Sequence, residues 1–124
     1  MTTDTAREQY SRTRLLLGQQ GIDRLRAARV AVFGVGGVGG YVVEALARSG
    51  VGALDLIDDD KVCLSNLNRQ IIATHSTLGQ YKVDAAAARV RDIDPDIQVR
   101  TYKVFYTPET ADQFDFTQYS YVVD

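Results

Sequence analysis

The chain of 124 residues has no tryptophan, one cysteine, one methionine, one histidine and two prolines, and neither sign of charge dominates it. Each scarcity excludes something. A single cysteine, Cys63, cannot form an internal disulfide. The only histidine, His75, has no second type of metal ligand clustered beside it, which suits a structural or exposed role rather than catalysis. With 14 Lys+Arg against 16 Asp+Glu the formal net charge is −2. There is therefore no overall basic field of the kind that announces nucleic acid or an anionic membrane, and any RNA contact must rest on something else. Long apolar runs are missing too. The longest, residues 30–43, is rich in glycine and cut by Glu44, well short of membrane-spanning length. The opening Met1-Thr2-Thr3-Asp4 lacks the apolar core of a signal peptide, so the cytoplasm is the expected compartment and no membrane partner is expected. The length leaves room for one compact domain, and the 45% hydrophobic content is ordinary for a globular protein.

What is there is organised around residues 29–60, which read as a strand, a glycine turn, a helix and a second strand ending in acids. Val30-Ala31-Val32-Phe33 is apolar enough for a doubly buried parallel strand, and Gly34, Gly36 and Gly39 have the spacing of a dinucleotide-binding turn. Each glycine has its own task. Gly34 permits the tight turn, Gly36 lets backbone amides approach a phosphate, and Gly39 lets the following helix lie close to its strand. That helix points its N-terminus, with its free amides and macrodipole, at the anion. Val38, Val42, Ala45 and Leu46 recur at helical spacing and predict the stripe that faces the sheet, with Ser49-Gly50 as the stop. The second strand, residues 53–57, delivers Asp58 roughly 20 residues beyond the last glycine, where a carboxylate can accept from ribose hydroxyls. The alternative is a glycine turn of purely structural use.

Ahead of this unit, the arm predicts a surface helix over residues 3–17, anchored by Leu15-Leu16-Leu17 and stopped by Gly18, then a short helix over 21–28 leading into the first strand. Arg12 and Arg14 lie on the arm, where the local reading is solvated charge. After Asp60, the loop Lys61-Val62-Cys63-Leu64-Ser65-Asn66-Leu67-Asn68-Arg69-Gln70 follows a strand end, the usual place for ligand contacts in an open α/β sheet. Asn66, Arg69 and Gln70 are a set of donors suited to phosphate oxygens, Arg69 with a planar fork that matches them. An ordinary surface loop is the competing reading. Cys63 is expected to pack against the sheet. Val83, Ala86, Ala87 and Val90 predict a helix over 81–94, closed by Pro95. Lys82 falls in its first turn, where the dipole disfavours a cation, and a bound phosphate would account for it. Residues 97–104 predict a third strand, Thr107-Pro108-Glu109 a short helical turn, and residues 119–123 a fourth strand. A doubly wound sheet usually has about six strands, so four suggest a truncated chain whose last strand has an exposed apolar edge.

Together Gly34-Val35-Gly36-Gly37-Val38-Gly39, Asp58-Asp59-Asp60, Ser65-Asn66-Leu67-Asn68-Arg69-Gln70 and Leu78-Gly79-Gln80-Tyr81-Lys82 resemble the adenylating enzymes of the ubiquitin-activating superfamily, including those serving molybdopterin and thiamine biosynthesis. Within it, Tyr10-Ser11-Arg12-Thr13-Arg14-Leu15-Leu16-Leu17-Gly18 and Glu44-Ala45-Leu46-Ala47-Arg48-Ser49-Gly50-Val51-Gly52 are most similar to the tRNA threonylcarbamoyladenosine dehydratases. The resemblance covers nearly the whole chain. It implies an α/β fold of Rossmann-like, doubly wound type, with a mainly parallel sheet and helices on both faces, over residues 29–124, preceded by a helical arm over 1–28.

The same resemblance implies a magnesium-dependent attack of a carboxylate on the α-phosphate of ATP, giving an acyl-adenylate and pyrophosphate. Gly34, Gly36, Gly37 and Gly39 would hold the phosphates and Asp58 the ribose. Asn66, Arg69 and Lys82 would hold the polyphosphate, with Asp60 and Ser65 in the same binding set. Arg12, reaching across from a second subunit of a homodimer, would join Arg69 and Lys82 as the catalytic residues. The magnesium-binding aspartate would fall beyond Asp124, so no metal ligand is assigned within the chain and the chain alone would turn over little. Gly40 departs from the family, which more often has serine or another small residue there.

The leading function is then dehydration and ring closure of threonylcarbamoyladenosine in tRNA. The alternative is adenylation of the C-terminal glycine of a ubiquitin-like sulfur carrier, with a sulfur-transfer partner protein. An NAD-dependent dehydrogenase would suit the glycine turn and Asp58, but Arg69 and Lys82 are excessive for a diphosphate. A non-catalytic nucleotide-binding or dimerisation module is the remaining reading.

Overall fold

The computed structural model describes residues 8–124. The expected start of the arm helix at Thr3 lies outside these residues. Four strands, β1 (Arg29–Phe33), β2 (Ala53–Ile57), β3 (Gln98–Tyr102) and β4 (Tyr121–Val123), form one parallel sheet in the order β3-β2-β1-β4. Val30 pairs with Leu54 on one side and Tyr121 on the other. Strand order reverses at β1, so the crevice at the C-terminal ends of β1 and β4 is the place where such a sheet takes a ligand.

Three helices accompany the sheet: α1 (Ser11–Ala27), α2 (Gly37–Ser49) and α3 (Lys82–Ile93). α1 is two helical pieces joined at Gly18, whose φ of 75° and ψ of 168° break it where the sequence predicts a stop. The leucine anchor is corrected. Leu15 and Leu16 are 88% and 85% exposed, whereas Tyr10 is 3% exposed and holds the arm. Tyrosine wins because its hydroxyl finds a fully buried carboxylate, Asp94, while the leucines meet no apolar surface of this chain.

The stripe on α2 is also corrected in phase. Its buried residues are Gly40, Val43 and Ala47, flanked by Val42 and Leu46, while Val38 and Ala45 are exposed. Gly39 against the Gly34 carbonyl and Gly40 against Ile71 set the rotation of the helix. Gly50, with φ 96°, caps it as expected. On α3, Val83, Ala86, Ala87 and Val90 are all buried, as their spacing predicts.

β-strand alternation divides the core. Val30, Val32, Leu54 and Leu56 join the residues of α2 and α3, together with Leu25 of α1, in one cluster. The opposite face holds Ala31, Ile57 and Phe114 with Phe33, Tyr102 and Tyr119 packed on them. Among the described residues that second face is covered by short 3-10 turns at Ala111–Gln113 and Phe116–Gln118 rather than by an α-helix. At the middle of β2 on this face, Asp55 is fully buried and accepts from Arg29 Nη1 at 2.7 Å, Arg100 Nε at 3.0 Å and Tyr119 Oη at 2.7 Å.

Candidate functional site

The three glycines do three separate things. Gly34 sits at φ 90° and its amide donates to the Ile57 carbonyl at 2.7 Å, turning the chain off β1. A Cβ on Gly39 would stand 1.7 Å from the Gly34 carbonyl oxygen, so only glycine lets α2 start this close to the strand. A Cβ on Gly36 would meet only Gln70 Nε2 at 3.4 Å and Lys82 Nζ at 3.8 Å, which places both side chains directly over the turn. Gly37 faces open space.

Lys82 is 7% exposed at the start of α3, and the nearest carboxylate oxygen, Asp60 Oδ2, is 3.9 Å away. A lysine buried at a helix N-terminus, with a carboxylate beyond hydrogen-bond distance, is under-compensated. An anion at Gly36 would complete it. Gln70 is equally buried, and its Oε1 has no hydrogen-bond partner. An orphaned buried acceptor is costly unless a donor arrives. The binding-residue set read from the family leaves out Gln70. Its place in a run of donors gave the only signal, and burial over Gly36 gives the rest.

Asp58 ties β2 to the turn. Its Oδ2 accepts from the Val35 amide at 3.0 Å and its Oδ1 from the Asp60 amide at 2.8 Å, leaving further lone pairs for hydroxyl donors. A cavity of about 600 Å³ opens beside it, walled by Phe33, Gly34, Ile57, Asp58, Tyr106 and Val122. Its size and its mixture of apolar walls with one acidic edge suit a nucleoside. The aromatic wall has no signature in the sequence, because Tyr106 and Phe116 belong to an irregular segment without periodicity.

The remaining expected residues are placed as follows. Asn66 is buried and its Oδ1 accepts from the Cys63 amide at 2.8 Å, so only its Nδ2 remains to serve a ligand. Arg69 is exposed on the outer flank of the α2 start, beside Gly37 and Val38. Its Nη1 donates to the Ser65 carbonyl at 3.0 Å and to Asn68 Oδ1 at 2.9 Å. Ser65 thus contributes its carbonyl to the orientation of Arg69. Cys63 is exposed, a correction, because Val62 takes the inward position at this strand end. His75 is exposed, in a short 3-10 turn.

Arg12 is not brought to the turn. Tyr10 lies against Ala47 and Gly50 at the far end of α2, a helix of 13 residues and therefore about 20 Å long. A side chain two residues further on cannot span that distance. The Asp58, Asp59 and Asp60 carboxylates approach within 4.8 Å of one another, a grouping that exposed acids commonly show without a metal. Asp59 and Asp60 are exposed, the ordinary condition of surface acids, and each Asp58 oxygen already accepts from a backbone amide. No helix among the described residues is long and apolar enough to cross a membrane.

Sheet order, glycine turn and the buried Lys82 and Gln70 over it define a nucleotide-binding α/β protein of the doubly wound class. The chain belongs to the ThiF family, whose model matches residues 10–124. It is 50% identical over 116 residues to the tRNA threonylcarbamoyladenosine dehydratase of Bacillus subtilis, covering 94% of this chain and 46% of that protein. To the Escherichia coli dehydratase it is 40% identical, covering 98% and 46%. The crystal structure of that E. coli enzyme in complex with ATP superposes with a TM-score of 0.93 at 39% identity, covering 98% of this chain and 50% of the other. The adenylyltransferase and sulfurtransferase uba4 of Aspergillus clavatus is 40% identical over 87% of this chain and 22% of its own length. The chain therefore spans about half the length of the bacterial relatives.

Proposed function

We propose that this chain is the nucleotide-binding part of an ATP-dependent adenylating enzyme acting on threonylcarbamoyladenosine in tRNA. The observation that carries the reading is Lys82, buried at a helix N-terminus over Gly36 and short of a carboxylate partner. Likeness to the two bacterial dehydratases supports the substrate.

In this reading the amides of residues 34–39 and the N-terminus of α2 hold the phosphates, Asp58 accepts from the ribose, and the aromatic cavity encloses the base. Lys82, Arg69 and the Nδ2 of Asn66 neutralise and orient the polyphosphate, with Asp60 steering the Lys82 ammonium and Ser65 steering Arg69. A carboxylate oxygen of the modified nucleoside attacks the α-phosphorus and the bond to pyrophosphate breaks. A nucleophile of the same nucleoside then attacks the activated carbonyl, AMP leaves, and the ring closes with net loss of water. Preorganised cations stabilise the charge that develops on the departing pyrophosphate. Magnesium, when bound, would supply further charge neutralisation.

In this reading Arg12, which stands away from its own glycine turn, serves the site of a second copy in a homodimer. The exposed Leu15 and Leu16, and an apolar groove along Val38, Tyr41, Val42 and Ala45, are the matching unpartnered surfaces. The compartment is the cytoplasm. The second reading is adenylation of a ubiquitin-like sulfur carrier, with a sulfur-transfer partner, favoured by the likeness to uba4. Pyrophosphate exchange into ATP by the full-length protein separates the two. Exchange that depends on tRNA bearing threonylcarbamoyladenosine supports the first reading, and exchange that depends on a carrier protein replaces it with the second.

A further inference from the structure

A chain with a net charge of −2 that acts on RNA needs a local source of attraction, since it has no general basic field. The cations already assigned to the nucleotide are Arg69 and Lys82. Two others stand apart at the rim of the cavity. Lys61 immediately follows Asp60, and Lys103 immediately precedes Val104 and Phe105, all three of which line the cavity.

These two lysines share one aromatic ring. Lys61 Nζ lies 5.0 Å from the centroid of Tyr81 and Lys103 Nζ 4.7 Å from it. The ring is fixed in turn. Tyr81 makes a β-bridge with Lys61, and the loop of residues 61–81 is closed at its neck by Val62 N to Gln80 O at 2.8 Å and Lys82 N to Asp60 O at 2.9 Å. Two like charges gathered on one ring repel each other, which makes the place favourable to a shared anion. One acid answers them: Asp84 Oδ2 is 3.1 Å from Lys103 Nζ. No carboxylate of the described residues lies within ion-pair distance of Lys61.

We propose that Lys61 and Lys103, held against Tyr81 at the cavity rim, form a contact surface for the phosphodiester backbone of the substrate RNA. The inference rests on the tRNA reading above. A phosphodiester outside the nucleotide site suits this surface, because the groups nearest Gly36 are Gln70 and Lys82 and neither Lys61 nor Lys103 is among them. Contacts of this kind position the nucleic acid without reading its sequence. They bring the modified base to the α-phosphate while leaving the hold on ATP to Lys82, Gln70 and Asp58.

The test uses the full-length protein, with Lys61→Glu, Lys103→Glu and the double variant, all at exposed positions and checked for an unchanged thermal midpoint. Fluorescence anisotropy measures affinity for a tRNA bearing threonylcarbamoyladenosine across a salt series. The double variant is expected to bind roughly 5- to 10-fold more weakly, with the log–log salt slope shallower by about 1 for each lysine. Its KM for ATP in pyrophosphate exchange is expected to stay at the wild-type value. Wild-type affinity and slope in the double variant would overturn the inference, as would a KM for ATP that rises in step with the loss of tRNA binding. A wild-type protein that fails to bind tRNA but exchanges pyrophosphate with a carrier protein overturns the tRNA reading itself, and this is seen before any variant is made.

Discussion

The hydroxyl of Tyr10 donates to Asp94 Oδ2 at 2.5 Å, and Arg26 Nη1 reaches the same oxygen at 2.8 Å. Tyr10 is the only fully buried side chain in residues 8–20, so this contact fixes where the arm and its Arg12 lie. Gly50 makes room for it, since a Cβ there would press on the ring at 3.3 Å. Tyr10→Phe removes one charge-assisted buried hydrogen bond and should cost about 1.5 to 3 kcal/mol in urea denaturation. An unchanged midpoint would show that the arm is held by other means.

The same pair sets a pH window. Burial opposes ionisation of Asp94, but the Tyr10 hydroxyl, the Asp96 amide and Arg26 outweigh it and hold the carboxyl below its ordinary range. Burial, then the bond to Asp94, pushes the Tyr10 phenol well above its ordinary value. A depressed acid lends stability above its unfolded pKa of about 3.9 and loses it as pH falls through the folded value. A raised phenol lends stability below its unfolded pKa of about 10 and loses it as pH rises beyond that. Denaturation midpoints of the wild type should therefore decline below about pH 4 and above about pH 10. Tyr10→Phe should flatten the alkaline limb, and the alkaline limb is the part to compare.

Gly36→Ala and Gly39→Ala should separate binding from folding. At Gly39 the new methyl would collide with backbone, so that variant should fail to fold or lose several kcal/mol. At Gly36 it would meet only flexible side chain ends, so the protein should fold with a near-normal melting temperature while ATP affinity falls at least tenfold. Isothermal titration with ATP reads the difference, and full affinity in Gly36→Ala would remove the turn from the site.

Asp55→Asn should cost about 1 to 3 kcal/mol, because the fully buried Asp55 loses its charge-assisted bonds from the mostly covered Arg29 and from Tyr119, while solvent screens the exposed Arg100. Thermal unfolding measures this. Nucleotide affinity should be unaffected, since Asp55 lies two residues back along β2 from the end that carries Asp58.

The elements that the sequence announces are those with strong periodicity or strong punctuation. β1, β2, α3 and the breaks at Gly18 and Gly50 follow from runs of Val, Ile and Ala and from glycine itself. α2 was legible as a helix but not in phase, because Val38 and Ala45 fit an apolar stripe as well as Gly40 and Ala47 do, and small residues carry no hydrophobic signal. The leucines of the arm read as an anchor for the same reason that they are misleading: they are apolar whether their partner belongs to this chain or to another. At the candidate site, the turn made by Gly34 and Gly39 and the place of Asp58 at the end of β2 follow from spacing, and Lys82 from its position in the first turn of α3. Gln70 and the aromatic wall depend on contacts between distant segments, which no local pattern encodes.

Arg69 is exposed, so its loss should disturb chemistry and spare the fold, which makes Arg69→Ala the most direct test of an ATP cradle built for adenylation. The measurement is pyrophosphate exchange into ATP by the full-length protein with tRNA bearing threonylcarbamoyladenosine. The wild type should exchange, and Arg69→Ala should lose exchange by at least a hundredfold, on the order of one lost transition-state donor, while melting at the wild-type temperature. Wild-type exchange in Arg69→Ala, or a wild-type protein that binds NADH and not ATP, would contradict the account.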